Sequence, residues 1–213
     1  MTMTDEMHHE YGLIYRPFGP MIYQQEISQE LFDDLLQSGE KSTENFRQHL
    51  AGNMKDERGL TKLISEDSKE EMLDRCALYV AGVEGKPPEY RQHLQNRVEF
   101  ILDDVWINYM QAYEWNPPHS HSGNLSFVIY LSNPVDQTIE ENHETQRETN
   151  APSAGRITFR YGEKHDMSNN FFHYLPRAKD MLIFPSWLEH QVFQYTQEAT
   201  RISVAGNVFI RYK

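Results

Sequence analysis

A chain of 213 residues carrying 32 acidic against 20 basic side chains, a net charge of −12, has the size of one domain and a field that repels nucleic-acid phosphates. A lone cysteine, Cys76, excludes an intramolecular disulfide, and no apolar run approaches the roughly 20 residues that cross a bilayer. The first ten residues lack the basic and apolar regions of a signal peptide, so the expected location is the cytoplasm.

The chain reads as a single domain in two parts, a mainly helical N-terminal extension (1–104) and a β-rich core (105–213). Ser28 is placed to cap a helix over Gln29–Gln37, ended by Ser38-Gly39, with Leu31, Phe32, Leu35 and Leu36 on one face. Glu44–Leu50 carries a weaker helical signal. Ser68 predicts a second cap, for Lys69–Ala81, whose buried side would hold Met72, Leu73, Cys76, Leu78 and Tyr79. Pro87-Pro88 interrupts the chain before a further helix over Glu89–Phe100.

Beyond residue 105 the pattern becomes one of short β-branched and aromatic runs between Pro, Gly, Asn and Ser: Val105–Tyr113, Leu125–Leu131, Gly155–Tyr161, Asp180–Phe184, Gln191–Tyr195 and Thr200–Arg211. Six such runs without an internal repeat predict a sandwich or jelly roll. Ser132–Ala154, polar and rich in Glu, Thr and Asn, reads as a loop or a lid between two strands.

Three of the ten histidines carry a chemical pattern. His119 and His121 lie in Asn116-Pro117-Pro118-His119-Ser120-His121-Ser122-Gly123, and His190 ends Phe184-Pro185-Ser186-Trp187-Leu188-Glu189-His190. On a strand, i and i+2 side chains share a face, so His119 and His121 can converge. A third ligand from His190 would complete a facial triad with open positions, the geometry of non-haem iron(II). Eleven residues later Arg201 and Ser203, with Ala205 and Asn207, alternate with the largely apolar Ile202, Val204, Gly206 and Val208. An arginine turned into a barrel requires an anion, and a guanidinium beside a hydroxyl suits a carboxylate.

In this order and spacing, the two histidine segments and Arg201-Ile202-Ser203 resemble the Fe(II)/2-oxoglutarate-dependent oxygenases. Local phrases add to the likeness: Trp106-Ile107-Asn108, the Phe127–Leu131 strand with its Tyr130-Leu131 pair, Gly155–Phe159, and Asp180–His190 leading to the distal histidine. The nearest resemblance is to the His-x-His subfamily, which includes phage-carried members, and it covers residues 105–210.

It implies an α+β fold, a cupin-like double-stranded β-helix (jelly roll) with the N-terminal helices packed against it. It further implies Fe(II) held by His119 and His190, with Arg201 and Ser203 on the distal carboxylate of 2-oxoglutarate. Tyr130 would reach the same carboxylate and Asn108 would face the co-substrate, or Tyr109 if the alternation is one residue out. The partners implied are 2-oxoglutarate, O₂ and a peptide or small-molecule substrate, hydroxylated with release of succinate and CO₂. The chain would act as a monomer or homodimer, in the host cytoplasm if phage-encoded, without nucleic acid or membrane.

One position departs from the pattern: residue 121 is His where the superfamily usually has Asp or Glu. Three imidazoles leave the charge of Fe(II) uncompensated until a dianionic co-substrate arrives. His121 is thus a third ligand, or it points away and water takes the position. The same substitution suits a three-histidine cupin-type dioxygenase that does not use 2-oxoglutarate, and a non-catalytic jelly-roll binding or structural protein is the remaining alternative. Substrate determinants are expected in the N-terminal helices, in 132–154 and in 162–176, where Phe171, Phe172, His173 and Tyr174 could line a pocket mouth.

Overall fold

Side-chain caps set where the two longest helices of the computed structural model begin; it describes residues 7–9, 12–15, 19–144 and 153–213. Short strands β1 (Met7–His9), β2 (Gly12–Tyr15) and β3 (Ile22–Glu26) precede α1 (Gln29–Lys41). Ser28 Oγ accepts the Leu31 N–H at 3.0 Å, so α1 starts where the sequence implies. It does not stop at Ser38-Gly39. A Cβ on Gly39 would lie 2.5 Å from Ile107 Cδ1 and 2.6 Å from the Tyr109 hydroxyl. Gly39 is small because the helix presses on the sheet there, not because the helix ends.

β4 (Glu57–Gly59) and α2 (Glu66–Val83) follow. α2 is capped by Ser65, whose Oγ accepts the Ser68 N–H at 3.2 Å, so the expected cap at Ser68 is three residues late. The early start places Glu66 and Asp67 in the first turn, where acidic groups complement the helix dipole. The expected Glu44–Leu50 helix is only a 3-10 turn, Arg47–His49. That over Glu89–Phe100 shortens to a 3-10 turn, Pro88–Tyr90, and α3 (Arg91–Arg97). Val98 and Phe100 instead begin β5 (Val98–Met110), paired with Tyr212 and Ile210; ladder pairing overrides helical periodicity.

The remaining elements are β6 (Asn116–His119), β7 (Leu125–Ser132), α4 (Gln137–Asn142), β8 (Ile157–Arg160), β9 (Phe171–Tyr174), β10 (Asp180–Pro185), β11 (Glu189–Val192) and β12 (Arg201–Tyr212). The strands form two antiparallel sheets, ordered β1-β2-β3-β10-β7-β12-β5-β4 and β6-β11-β8-β9. This is a double-stranded β-helix with α1 and α2 laid on the outer face of the larger sheet. Strands from before residue 105 occupy both edges of that sheet.

Alternation sorts the core. Ile107, Phe127, Ile129, Met181, Ile183, Val204 and Val208 face the helices, against Leu31, Leu35, Met72 and Cys76. Val128, Tyr130, Leu182 and Phe184 face the smaller sheet, against Ile157, Phe159 and Leu188. The expected loop after β7 contains α4, whose buried Glu140 accepts the backbone N–H groups of Thr196 and Gln197 at 2.9 and 3.1 Å. The part of that loop at 145–152 lies outside the described residues. No helix among the described residues is long and apolar enough to cross a membrane.

Candidate metal centre

His119 and His190 meet because β6 and β11 pair: the two residues stand directly opposite each other in that ladder. His119 is the last residue of β6, and His121 lies in the turn beyond it. The i, i+2 strand geometry expected of the pair is therefore not what makes them converge. The His121 N–H instead donates to Ser186 O at 2.8 Å, and Ser186 Oγ donates to Gly123 O at 2.5 Å. These bonds clamp the turn to the segment that delivers His190. Gly123, at φ 87°, then reverses the chain into β7 where a Cβ would come within 3.0 Å of Val208 O.

One ligand atom from each of His119, His121 and His190 lies within 4.8 Å of the other two, and Nε2 of His121 is 3.3 Å from Nε2 of His190. Nδ1 of His119 is 2.7 Å from Pro117 O, and Nδ1 of His190 is 3.0 Å from Leu188 O. A carbonyl only accepts, so both Nδ1 atoms carry the proton and both Nε2 lone pairs are free to ligate. Burial holds all three imidazoles below their ordinary pKa. His121 is pushed down to about 4, with His119 adding to the effect, and His190 falls well below the usual value. Neutral, lone-pair-bearing rings are what a metal requires. Phe184 and Phe159 pack on His190 at ring-centroid separations of 4.8 and 5.8 Å, and Trp106 lies 5.6 Å from His121.

The triad opens into a pocket between the two sheets. Arg201, Ser203, Tyr130 and Asn108 line the same pocket. Arg201 is 3% exposed. Its Nη1 meets only Met110 Sδ, at 3.5 Å, and its Nε has no hydrogen-bond partner. The guanidinium lies 5.0 Å from the centre of the Tyr130 ring. The Tyr130 hydroxyl is fully buried without a partner in hydrogen-bonding geometry; burial pushes its pKa up to about 12, with Arg201 pulling the other way. Asn108 Nδ2 is 3.5 Å from Ser203 Oγ.

Tyr109 faces the opposite side of β5, beneath the Arg58 guanidinium at 4.8 Å. Phe171, Phe172, His173 and Tyr174 form β9 at the edge of the smaller sheet and do not line this pocket. Sequence reasoning did not single out Met54, Trp106, Met110, Asn116 and Val192, which do. Trp106 and Met110 were within reach, two positions either side of Asn108 on one strand. Tyr195 was also missed: its hydroxyl sits against Met110 O and Ala199 O and accepts the Arg201 N–H, locking the start of β12.

Residues 104–207 match the family model described as "Putative 2OG-Fe(II) oxygenase". No curated protein matches the sequence. Among solved structures, the chain is similar to an oxidoreductase of the 2OG-Fe(II) oxygenase family from Burkholderia pseudomallei (TM-score 0.51, 13% identity, covering 89% of this chain and 84% of that one). It is also similar to a Pseudomonas putida prolyl-4-hydroxylase (0.52, 13%, 90% and 92%). A third is SnoN, a non-heme alpha ketoglutarate dependent epimerase from nogalamycin biosynthesis (0.53, 14%, 90% and 80%). At these identities the likeness speaks to fold alone. Residues 104–207 thus carry the match to the 2OG-Fe(II) oxygenase family, on a double-stranded β-helix shared with these structures.

Proposed function

We propose that the chain is an Fe(II)- and 2-oxoglutarate-dependent oxygenase that hydroxylates a peptide or small molecule. One observation carries this reading: a buried guanidinium with an unpartnered Nε shares a pocket with three converging, neutral imidazoles. A buried charge needs a counter-ion, and a diacid chelated at the triad supplies one.

In this reading Nε2 of His119, His121 and His190 holds the iron. Iron and 2-oxoglutarate bound there would supply, with O₂ as the oxidant, an oxidative decarboxylation to succinate and CO₂ that places one oxygen atom in succinate and the other in a substrate C–OH. Arg201 receives the far carboxylate of the co-substrate, and the Tyr130 hydroxyl donates to the same group. Ser203 and Asn108 orient it from the next positions across the sheet. Phe159, Phe184 and Trp106 wall the rings from water, which strengthens every charge interaction inside. With three neutral ligands, the metal keeps its full charge for the dianion.

Anaerobic titration with Fe(II) and then 2-oxoglutarate tests this through the visible metal-to-ligand charge-transfer band. Wild type should develop the band and His190→Ala should not; a wild-type spectrum that stays flat would sink the proposal. His121 favours one second reading, a three-histidine dioxygenase that needs no co-substrate. Oxygen consumption without succinate formation would select it.

A further inference from the structure

The pocket wall is polar in two opposite senses. Across the larger sheet Tyr130 on β7, Ser203 on β12, Asn108 on β5 and Glu57 on β4 are successive cross-strand partners, so all four side chains share the inner face. Arg201 and Tyr130 stand on one side of this row. On the other, both carboxylate oxygens of Glu57 and the side-chain oxygens of Asn108 and Asn116 are buried without a hydrogen-bond partner. Glu57 is 2% exposed. Arg201 and Glu57 do not satisfy each other: β5 stands between their strands, and both Glu57 oxygens and Arg201 Nε are without a partner. Neither is answered by the other, and the co-substrate answers only for Arg201.

Resting on the oxygenase reading of this pocket, we propose that Glu57, with the amide oxygens of Asn108 and Asn116, receives a cationic nitrogen group, ammonium or guanidinium, of the primary substrate. Asn108, Asn116 and Met54 line the pocket itself. A point one bond above Gly52 Cα lies 3.0 Å from Glu57 Oε1, 3.6 Å from Asn116 Oδ1 and 2.7 Å from Met54 Cε. The carboxylate therefore stands beside two residues of the lining, Asn116 and the flexible thioether of Met54. Asn116 opens the strand that His119 closes, which sets a bound cation within one short strand of the metal ligands. The state of Glu57 agrees: burial, with Glu114 adding, raises its pKa to about 7 against the pull of Arg47, so the carboxyl titrates near neutral pH and an arriving cation would draw it into the ionised form.

The test is anaerobic calorimetry on the Fe(II)- and 2-oxoglutarate-loaded protein. The probes are N-acetyl-arginine amide and N-acetyl-lysine amide against their neutral isosteres, N-acetyl-citrulline amide and N-acetyl-norleucine amide. Wild type should bind the cations at least about tenfold more tightly. Glu57→Gln should abolish that preference while keeping the charge-transfer band, and Asn116→Leu should weaken the same probes without touching β4. Equal binding of cations and isosteres by wild type, or an undiminished preference in a folded Glu57→Gln, overturns the inference. A missing wild-type band with Glu57-dependent cation preference intact instead removes the oxygenase reaction and leaves the acceptor wall standing.

Discussion

At the scale of single residues, the site is defined by groups whose burial is unfavourable unless something binds. Arg201 is the clearest. A structural arginine would be held by carboxylates, and this one meets a thioether and an aromatic ring. Arg201→Met should therefore weaken 2-oxoglutarate binding by roughly 100-fold, the loss typical of a buried charge-assisted contact. It should do so without lowering Tm, because no protein partner is left unpaired. Calorimetry with 2-oxoglutarate and a thermal melt read the two halves; a large fall in Tm at unchanged affinity would make Arg201 structural. Asn108 and Tyr109 show how one position decides a role: adjacent on β5, one lines the pocket and the other packs against α1 and Arg58.

At the scale of elements, the caps and the bulge in β12 hold the pieces that position these residues. Ser28 caps α1 and also donates its hydroxyl to Glu71 Oε2 at 2.6 Å, while Arg75 pairs with Glu71 at 2.5 Å. Helix α1 is thereby fixed to α2. Ser28→Ala should cost about 1–2 kcal/mol in urea unfolding, since it removes both the cap and that link. In β12 the register against β5 shifts between Gly206 and Val208, while against β7 it shifts between Ile202 and Ser203. A Cβ at Gly206 would lie 2.5 Å from Phe127 Cζ and 3.0 Å from Asp104 O. Gly206→Ala should destabilise by about 1–3 kcal/mol through overpacking; unchanged urea stability would show that Phe127 can yield.

At the scale of the whole molecule, two groups of buried residues titrate with opposite signs. The three histidines have folded pKa values below the unfolded value of about 6.5. Their contribution is present above that pH and is lost as pH falls below it, for His121 down to about 4, because the unfolded chain takes up protons that the folded chain resists. Glu57 is raised from 4.5 to about 7, so its contribution is present below 4.5 and is lost as pH rises through 7. The metal-free protein should therefore show a stability maximum near pH 6 to 7. Glu57→Gln should flatten the alkaline limb of a Tm-against-pH profile and leave the acid limb intact. An alkaline limb unchanged by that substitution would contradict the burial of an unpaired carboxylate. Added Zn(II) should raise Tm wherever the folded imidazoles are neutral, including below pH 6.5, and the gain should fade only as pH falls far enough for protons to compete for the folded rings.

Local chemistry was enough to mark α1 and its Ser28 cap, the six β-rich runs of the second half, and the small set of His, Arg, Ser, Tyr and Asn residues worth watching. Each of those signals lies within a few residues of chain: a cap, a period of two, a turn. Strands β3, β4 and β9 escaped notice because they are short and their pairing partners are remote or unannounced. Glu57 escaped for a related reason, since nothing near it in sequence says that it sits opposite Asn108. That His119 faces His190 is a property of the β6–β11 ladder, and that Arg201 and Glu57 are buried on strands with β5 between them follows from strand order. Residue type and short spacing are written in the chain, but the distances between charges are set only when non-local strands take their places in a sheet.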